Sequence, residues 1–106
     1  ELAPVVEQIN RALMNLAMEA ACALRIAESG VAVPLLDLVK DSAFDPVKLS
    51  AAGALVNLSS NNDANVVIAK MTGGIPPHVR LLWSEVGGEY EKVAIGAVGS
   101  KEQYIG

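Results

Sequence analysis

The chain has 106 residues, enough for one modest domain, with 52% apolar residues, only 4% aromatic ones and a net charge of −4. Its eight basic side chains are scattered and form no basic stripe, which excludes nucleic acid as an expected partner. The longest uncharged run, residues 49–62, is too short and too rich in Ser and Asn to cross a bilayer, so no membrane insertion is expected.

With so few rings, the core has to come from Ala, Val, Leu and Ile at close helix–helix distances, which favours helices over a sandwich. In chain order, Pro4 stands where a missing N–H does no harm to a first helical turn. Val6, Ile9, Leu13 and Leu16 follow at the spacing of one helix face, so residues 5–17 are read as a helix. Residues 18–28 are Ala-rich and helix-favouring, and Ser29-Gly30 ends them, because Gly enters the left-handed cap conformation without a Cβ clash. A helix over 33–40 carries Pro34 in its first turn. Asp45-Pro46 has the form of an N-cap carboxylate followed by proline at N1, and it launches a long helix to about Ser59.

Ser60-Asn61-Asn62-Asp63 caps the next helix, which stops at Thr72-Gly73-Gly74. Another runs from Pro76-Pro77 to about Trp83, and Gly87-Gly88 then predicts a loop. A last helix over Tyr90 to Val98 is weakened by Gly96, which costs about 1 kcal/mol against Ala.

The chain also repeats itself. Ala12-Leu13-Met14-Asn15-Leu16 recurs as Ala54-Leu55-Val56-Asn57-Leu58, and Ile26-Ala27 as Ile68-Ala69, at an offset of 42. One residue more separates Ile68 from Gly73 than Ile26 from Gly30, so the later offset becomes 43. A period in the range of roughly 40–47 belongs to two- and three-helix solenoid repeats. Units built short, short, long cannot bury their apolar faces alone, and stacking completes the core.

Two runs carry a resemblance: Gly73-Gly74-Ile75-Pro76-Pro77 leading to Leu81-Leu82, and Ala51-Ala52-Gly53-Ala54-Leu55-Val56-Asn57-Leu58. This grammar resembles the armadillo repeat family, with the related HEAT repeats as the neighbouring alternative. The resemblance implies an all-α, right-handed α-solenoid of three-helix repeats forming a single domain over 1–106. Residues 5–17 would be the last helix of a partial repeat, 18–60 a full repeat, and 61–106 a second repeat with a weakened C-terminal helix.

On the long central helix, Ser50, Gly53, Asn57 and Ser60 fall on one narrow polar stripe. The matching positions of the preceding unit are Gln8, Arg11, Asn15 and Met18; those of the following one are Val93, Gly96, Ser100 and Gln103. Stacked helices would align these stripes along one concave wall, making Asn15 and Asn57 the candidate binding residues, with Arg11, Ser50, Gly53 and Ser100 beside them. An asparagine offers two donors and an acceptor, enough to hold the main chain of an extended peptide whatever its sequence. In armadillo proteins the asparagine at this position does so, and the resemblance carries that role to Asn15 and Asn57. Family members that carry basic peptides usually place a Trp four residues earlier. Here those positions are Arg11, Gly53 and Gly96, a departure that counts against an importin-like carrier and implies a shallower groove.

The remaining chemistry-bearing residues invite plainer readings. His78 stands where the preceding unit has Leu35, without companions at ligand spacing, and is read as a partly buried helix residue rather than a metal ligand. Cys22 is read as a small core residue, Trp83 as packing over the seam between units, and Glu85, Glu89 and Glu91 as a solvated loop. One His supports no triad or acid–base pair, so no enzyme activity, cofactor or metal is expected. A lone cysteine points to a reducing, intracellular compartment, cytoplasmic or nuclear with an organelle left open. The expected function is a non-catalytic scaffold that binds an extended peptide or partner protein along the concave face of the third helices. The alternative is a structural subunit that stacks through exposed ends, with itself or in a larger assembly.

Overall fold

In the computed structural model of the chain, residues 2–89 are described, and they are helical with no strand among them. The elements are α1 (Ala3–Leu16), α2 (Ala20–Glu28), α3 (Ala32–Asp41), α4 (Asp45–Ser59), α5 (Asn62–Thr72) and α6 (Pro77–Leu82). The chain runs from α6 directly into a π-helical turn, Trp83–Gly87.

Local chemistry explains most of the boundaries. Gly30 ends α2 at φ 83° and Gly73 caps α5 at φ 81°, left-handed conformations that an L side chain resists. The Gly73 N–H donates to the Ala69 carbonyl at 2.8 Å, taking up one of the open carbonyls at the end of α5. At the other end of that helix, Asn61 Oδ1 accepts the Ala64 N–H at 2.8 Å, an N-cap side-chain bond. The expected Asp45 cap is not made. Phe44 takes the N-cap position in extended backbone and Asp45 sits in the first turn, where its charge still favours the positive end of the helix. Ser42 Oγ receives the Phe44 N–H at 3.1 Å instead, steering the connector into α4.

The packing follows the sequence period. α1 lies against α4 and α2 against α5, so helices about 42 residues apart are neighbours, while α3 packs on α4 and α5. Asn10 meets Val47 and Ser50, and Met14 meets Gly53 and Asn57, so α1 and α4 run parallel. α6 and the π-helical turn also pack on α4, with Trp83 reaching Gly53 beside Met14. Enclosed in this way, α4 is buried nearly all round: Ala51, Ala52, Ala54, Leu55 and Leu58 are each fully covered. A helix of Ala, Gly and Ser with a few Leu suits that place, because short side chains let neighbouring axes approach on every flank.

The structure turns α1 relative to the expected face. Asn10, Met14 and Ala17 are its buried residues, with Val6 and Leu13 half-buried, whereas Ile9 and Leu16 are exposed. A polar residue holds the centre of the buried face because its amide is hydrogen-bonded there, as described below.

The loop expected at Gly87-Gly88 is also absent. Gly88 has helical backbone, φ −61° and ψ −41°, and Gly87 is buried. A Cβ on Gly87 would run into the indole of Trp83, so this glycine serves close approach of a ring rather than chain reversal. The π-helical turn carries one extra residue per turn, a form met in single turns of this kind.

His78 is exposed, not partly buried; the fully covered residue of α6 is its neighbour Val79. Cys22 is half-buried. Trp83 is partly buried and packs against the core cluster. The helix expected over Tyr90 to Val98, with Glu91, Val93, Gly96, Ser100 and Gln103, lies outside the described residues. Among the described residues, no helix is long and apolar enough to cross a membrane.

Candidate functional site

The expected polar stripe divides into a buried half and an open half. Ser50 is fully buried: its Oγ donates to the Val47 carbonyl at 3.1 Å and accepts from Asn10 Nδ2 at 3.1 Å. Gly53 is buried as well. A Cβ built on it would stand 2.5 Å from Met14 Sδ and 2.7 Å from Trp83 Cη2, so the space above Gly53 is filled by a thioether and an indole. As a correction to the expected binding set, Ser50 and Gly53 therefore present nothing to solvent; they serve the seam between α1, α4 and Trp83. Small side chains on a helix mark close approach of a neighbour as readily as a floor for a ligand, and here the neighbour takes the space.

One helical turn further along α4, the stripe comes to the surface. Asn57 Nδ2 donates to the Met14 carbonyl at 2.9 Å, tying the last turn of α4 to an open carbonyl near the end of α1. Its Oδ1 accepts no hydrogen bond among the described residues and is not sealed from solvent. Asn57 lines an open cleft of about 300 Å³ with Ala17, Met18, Ala20, Ser60 and Asn61. Asn61 commits its Oδ1 to the cap of α5, which leaves Nδ2 as a donor beside the cleft. Ser60 Oγ donates to the Val56 carbonyl at 2.9 Å.

The cleft thus has an acceptor and a donor from two anchored amides, set among alanines short enough for a main chain to come close. Met18, 77% exposed, forms an adaptable wall on one side. The cleft carries no charged residue, so nothing in its lining selects a charged side chain.

Asn15 does not line this cleft. It follows Met14 on α1 with its side chain exposed, and Arg11, one turn earlier, is half-buried. The structure brings Asn57 to the end of α1 but joins it to the Met14 main chain rather than to the Asn15 amide. Ser100 lies outside the described residues.

The sequence pattern passed over Asn10 and Asn61. Asn10 falls on the buried face of α1, and a lone amide among Val6, Leu13 and Met14 is the signal that would have found it. Its position in the next unit is Ala52, so the repeat comparison hides it. Asn61 was visible as a cap, and only the cleft gives it a second edge. No group of three metal-ligating side chains occurs among the described residues. Comparison with protein-family models, curated proteins and solved structures found no match.

Proposed function

We propose that the chain is part of an armadillo-type, right-handed α-solenoid and that it works as a non-catalytic protein-binding module, taking an extended peptide segment of a partner into the Asn57 cleft. One observation carries this reading: Asn57, held by the Met14 carbonyl, lines an open cleft of about 300 Å³ and keeps an Oδ1 that accepts no hydrogen bond among the described residues. An extended peptide alternates N–H donors and C=O acceptors along each edge. Asn57 Oδ1 takes an N–H from such an edge, and Asn61 Nδ2 reaches a carbonyl. Ala17 and Ala20 keep the floor low enough for main-chain contact, while Met18 adapts to different side chains. Recognition of this kind is weak in sequence preference and rests on main-chain hydrogen bonds, as in other extended-peptide modes.

The packing of helices 42 residues apart supports the solenoid part of the reading, because each unit then completes its neighbour's core. The test is a screen of random linear peptides against the full chain. Wild type is expected to enrich binders that shift the backbone NMR signals of Ala17, Asn57 and Ser60. Ala20→Trp, a substitution at an exposed position that fills the cleft, is expected to lose them. Binders that hold equally well to Ala20→Trp would sink the proposal.

A further inference from the structure

The chain has three methionines, and the fold puts each in a different setting. Met14 is 5% exposed, with its Sδ over Gly53 beside the indole of Trp83. Met71 is 45% exposed in the last turn of α5, about 15 Å along the helix axis from Asn61, and lines no part of the Asn57 cleft. Met18 is 77% exposed and forms a wall of that cleft. Its backbone is fixed: the Met18 N–H donates to the Asn15 carbonyl at 3.2 Å and the Glu19 N–H to the Leu16 carbonyl at 3.1 Å. Its counterpart one unit on, Ser60, is exposed even though α1 and α2 pack against α4 and α5, so this position stays open in a stacked unit.

We propose that Met18 is a reversible oxidation site that regulates the Asn57 cleft, its sulfoxide taking the Asn61 amide donor away from a bound peptide. This regulation rests on the peptide-binding reading of that cleft. An exposed thioether is the group that a peroxide oxidises, and burial withholds it. A sulfur lone pair attacks one oxygen of hydrogen peroxide, and an S–O bond forms as the O–O bond breaks. The sulfur loses two electrons, and the S–OH proton passes to the departing hydroxide, which leaves the sulfoxide and water.

The consequence lies in the hydrogen-bonding groups of the cleft. A thioether is a weak acceptor, so reduced Met18 leaves those groups to the peptide. A sulfoxide oxygen is polar and accepts readily. Asn57 Nδ2 is turned to the Met14 carbonyl and Ser60 Oγ donates to the Val56 carbonyl, which leaves Asn61 Nδ2 as the side-chain donor not already committed to main chain. An oxygen placed on Met18, within the same cleft of about 300 Å³, claims that donor, and the peptide carbonyl loses its partner. The wall itself turns from apolar and adaptable to polar and chiral. Methionine sulfoxide reductases, one for each epimer, restore the thioether.

The test treats the full chain with dilute hydrogen peroxide. Peptide mapping by mass spectrometry is expected to find Met18 oxidised before Met71, with Met14 protected until the chain unfolds. In the free Met71→Leu chain, oxidation is expected to shift the side-chain amide NMR signals of Asn61. A peptide enriched against the wild-type cleft is expected to bind about tenfold more weakly after oxidation, the loss of one hydrogen bond, and to recover when both reductases are added. Met18→Leu keeps an apolar wall without a sulfur, so its peptide binding is expected to withstand peroxide. Slower oxidation of Met18 than of Met71, or Asn61 signals that stay in place with Met18 fully oxidised, overturns the proposal. So does a peptide affinity that oxidation leaves unchanged, or lowers equally in Met18→Leu. A chain that binds no peptide refutes the reading of the cleft, and the Asn61 signals then decide by themselves whether the sulfoxide takes the donor.

Discussion

Replacing Gly53 by Ala sets two opposed effects against each other at the centre of α4. Helix propensity favours Ala over Gly by about 1 kcal/mol at an interior position. Against this, the new Cβ would stand 2.5 Å from Met14 Sδ, 2.7 Å from Trp83 Cη2 and 2.8 Å from Trp83 Cζ3, all inside van der Waals contact. Met14 is a flexible chain and gives way cheaply. Trp83 is a rigid ring whose other edge lies over Gly87, where a Cβ has no room either, so it has little freedom to retreat. Overpacking a core costs about 1–3 kcal/mol, and an obstacle pinned on both sides belongs in the upper half of that range. The net expectation is a loss of about 1–2 kcal/mol, or a fall in melting temperature of about 5–15 °C for a domain of this size. Thermal and urea unfolding of Gly53→Ala measure it. A double-mutant cycle with Trp83→Leu separates the clash from the propensity gain: in the Trp83→Leu background, Gly53→Ala is expected to cost less or to stabilise. If Gly53→Ala alone raises the melting temperature, the indole is not held where the packing puts it and the reasoning fails.

Two further outcomes accompany the peptide-binding test. Asn57→Ala removes the 2.9 Å bond to the Met14 carbonyl and is expected to cost about 1 kcal/mol in urea unfolding, whereas Asn15→Ala, at an exposed side chain, stays within about 0.5 kcal/mol of wild type; equal effects would refute the assignment of Asn57 as the tie between α1 and α4. Asn61→Ala loses the cap on Ala64 N–H and is expected to cost about 1 kcal/mol, with Asn61→Asp close to wild type, and hydrogen exchange at Ala64 and Asn65 reads the fraying directly.

The all-helical architecture was legible because it rests on local, redundant signals. Gly30 and Gly73 stop helices through a backbone conformation that only glycine takes freely, Pro4, Pro46 and Pro77 stand in first turns, and Asn61 caps α5. The 42-residue offset also anticipated which helices touch. Legibility failed where a small or polar residue has two opposite uses. Gly53 and Ser50 on a polar stripe suggested an open groove, yet absence of bulk equally admits Met14 and Trp83, and tertiary packing decides between these. Gly87-Gly88 read as chain reversal, but a ring 4 residues back uses the missing Cβ instead. The face of α1 was misjudged because hydrophobicity alone ranks Ile9 above Asn10, while burial follows whichever side finds hydrogen-bond partners and a neighbouring helix. Of the candidate site, Asn57 was visible through its repeat and Asn61 only through its capping role.

The amide of Asn10 has a consequence for how α1 is aligned on α4. Small and aliphatic side chains lie on every flank of α4, so apolar contact by itself discriminates only weakly between neighbouring settings of α1. Asn10 meets the Ser50 hydroxyl at 3.1 Å in only one of those settings; in every other, a buried carboxamide goes without a partner, at a penalty of about 1–3 kcal/mol. A leucine in its place would offer more apolar contact and less discrimination. The polar trio of Asn10, Ser50 and the Val47 carbonyl thus acts as a vernier mark, fixing the same alignment that seats Met14 over Gly53.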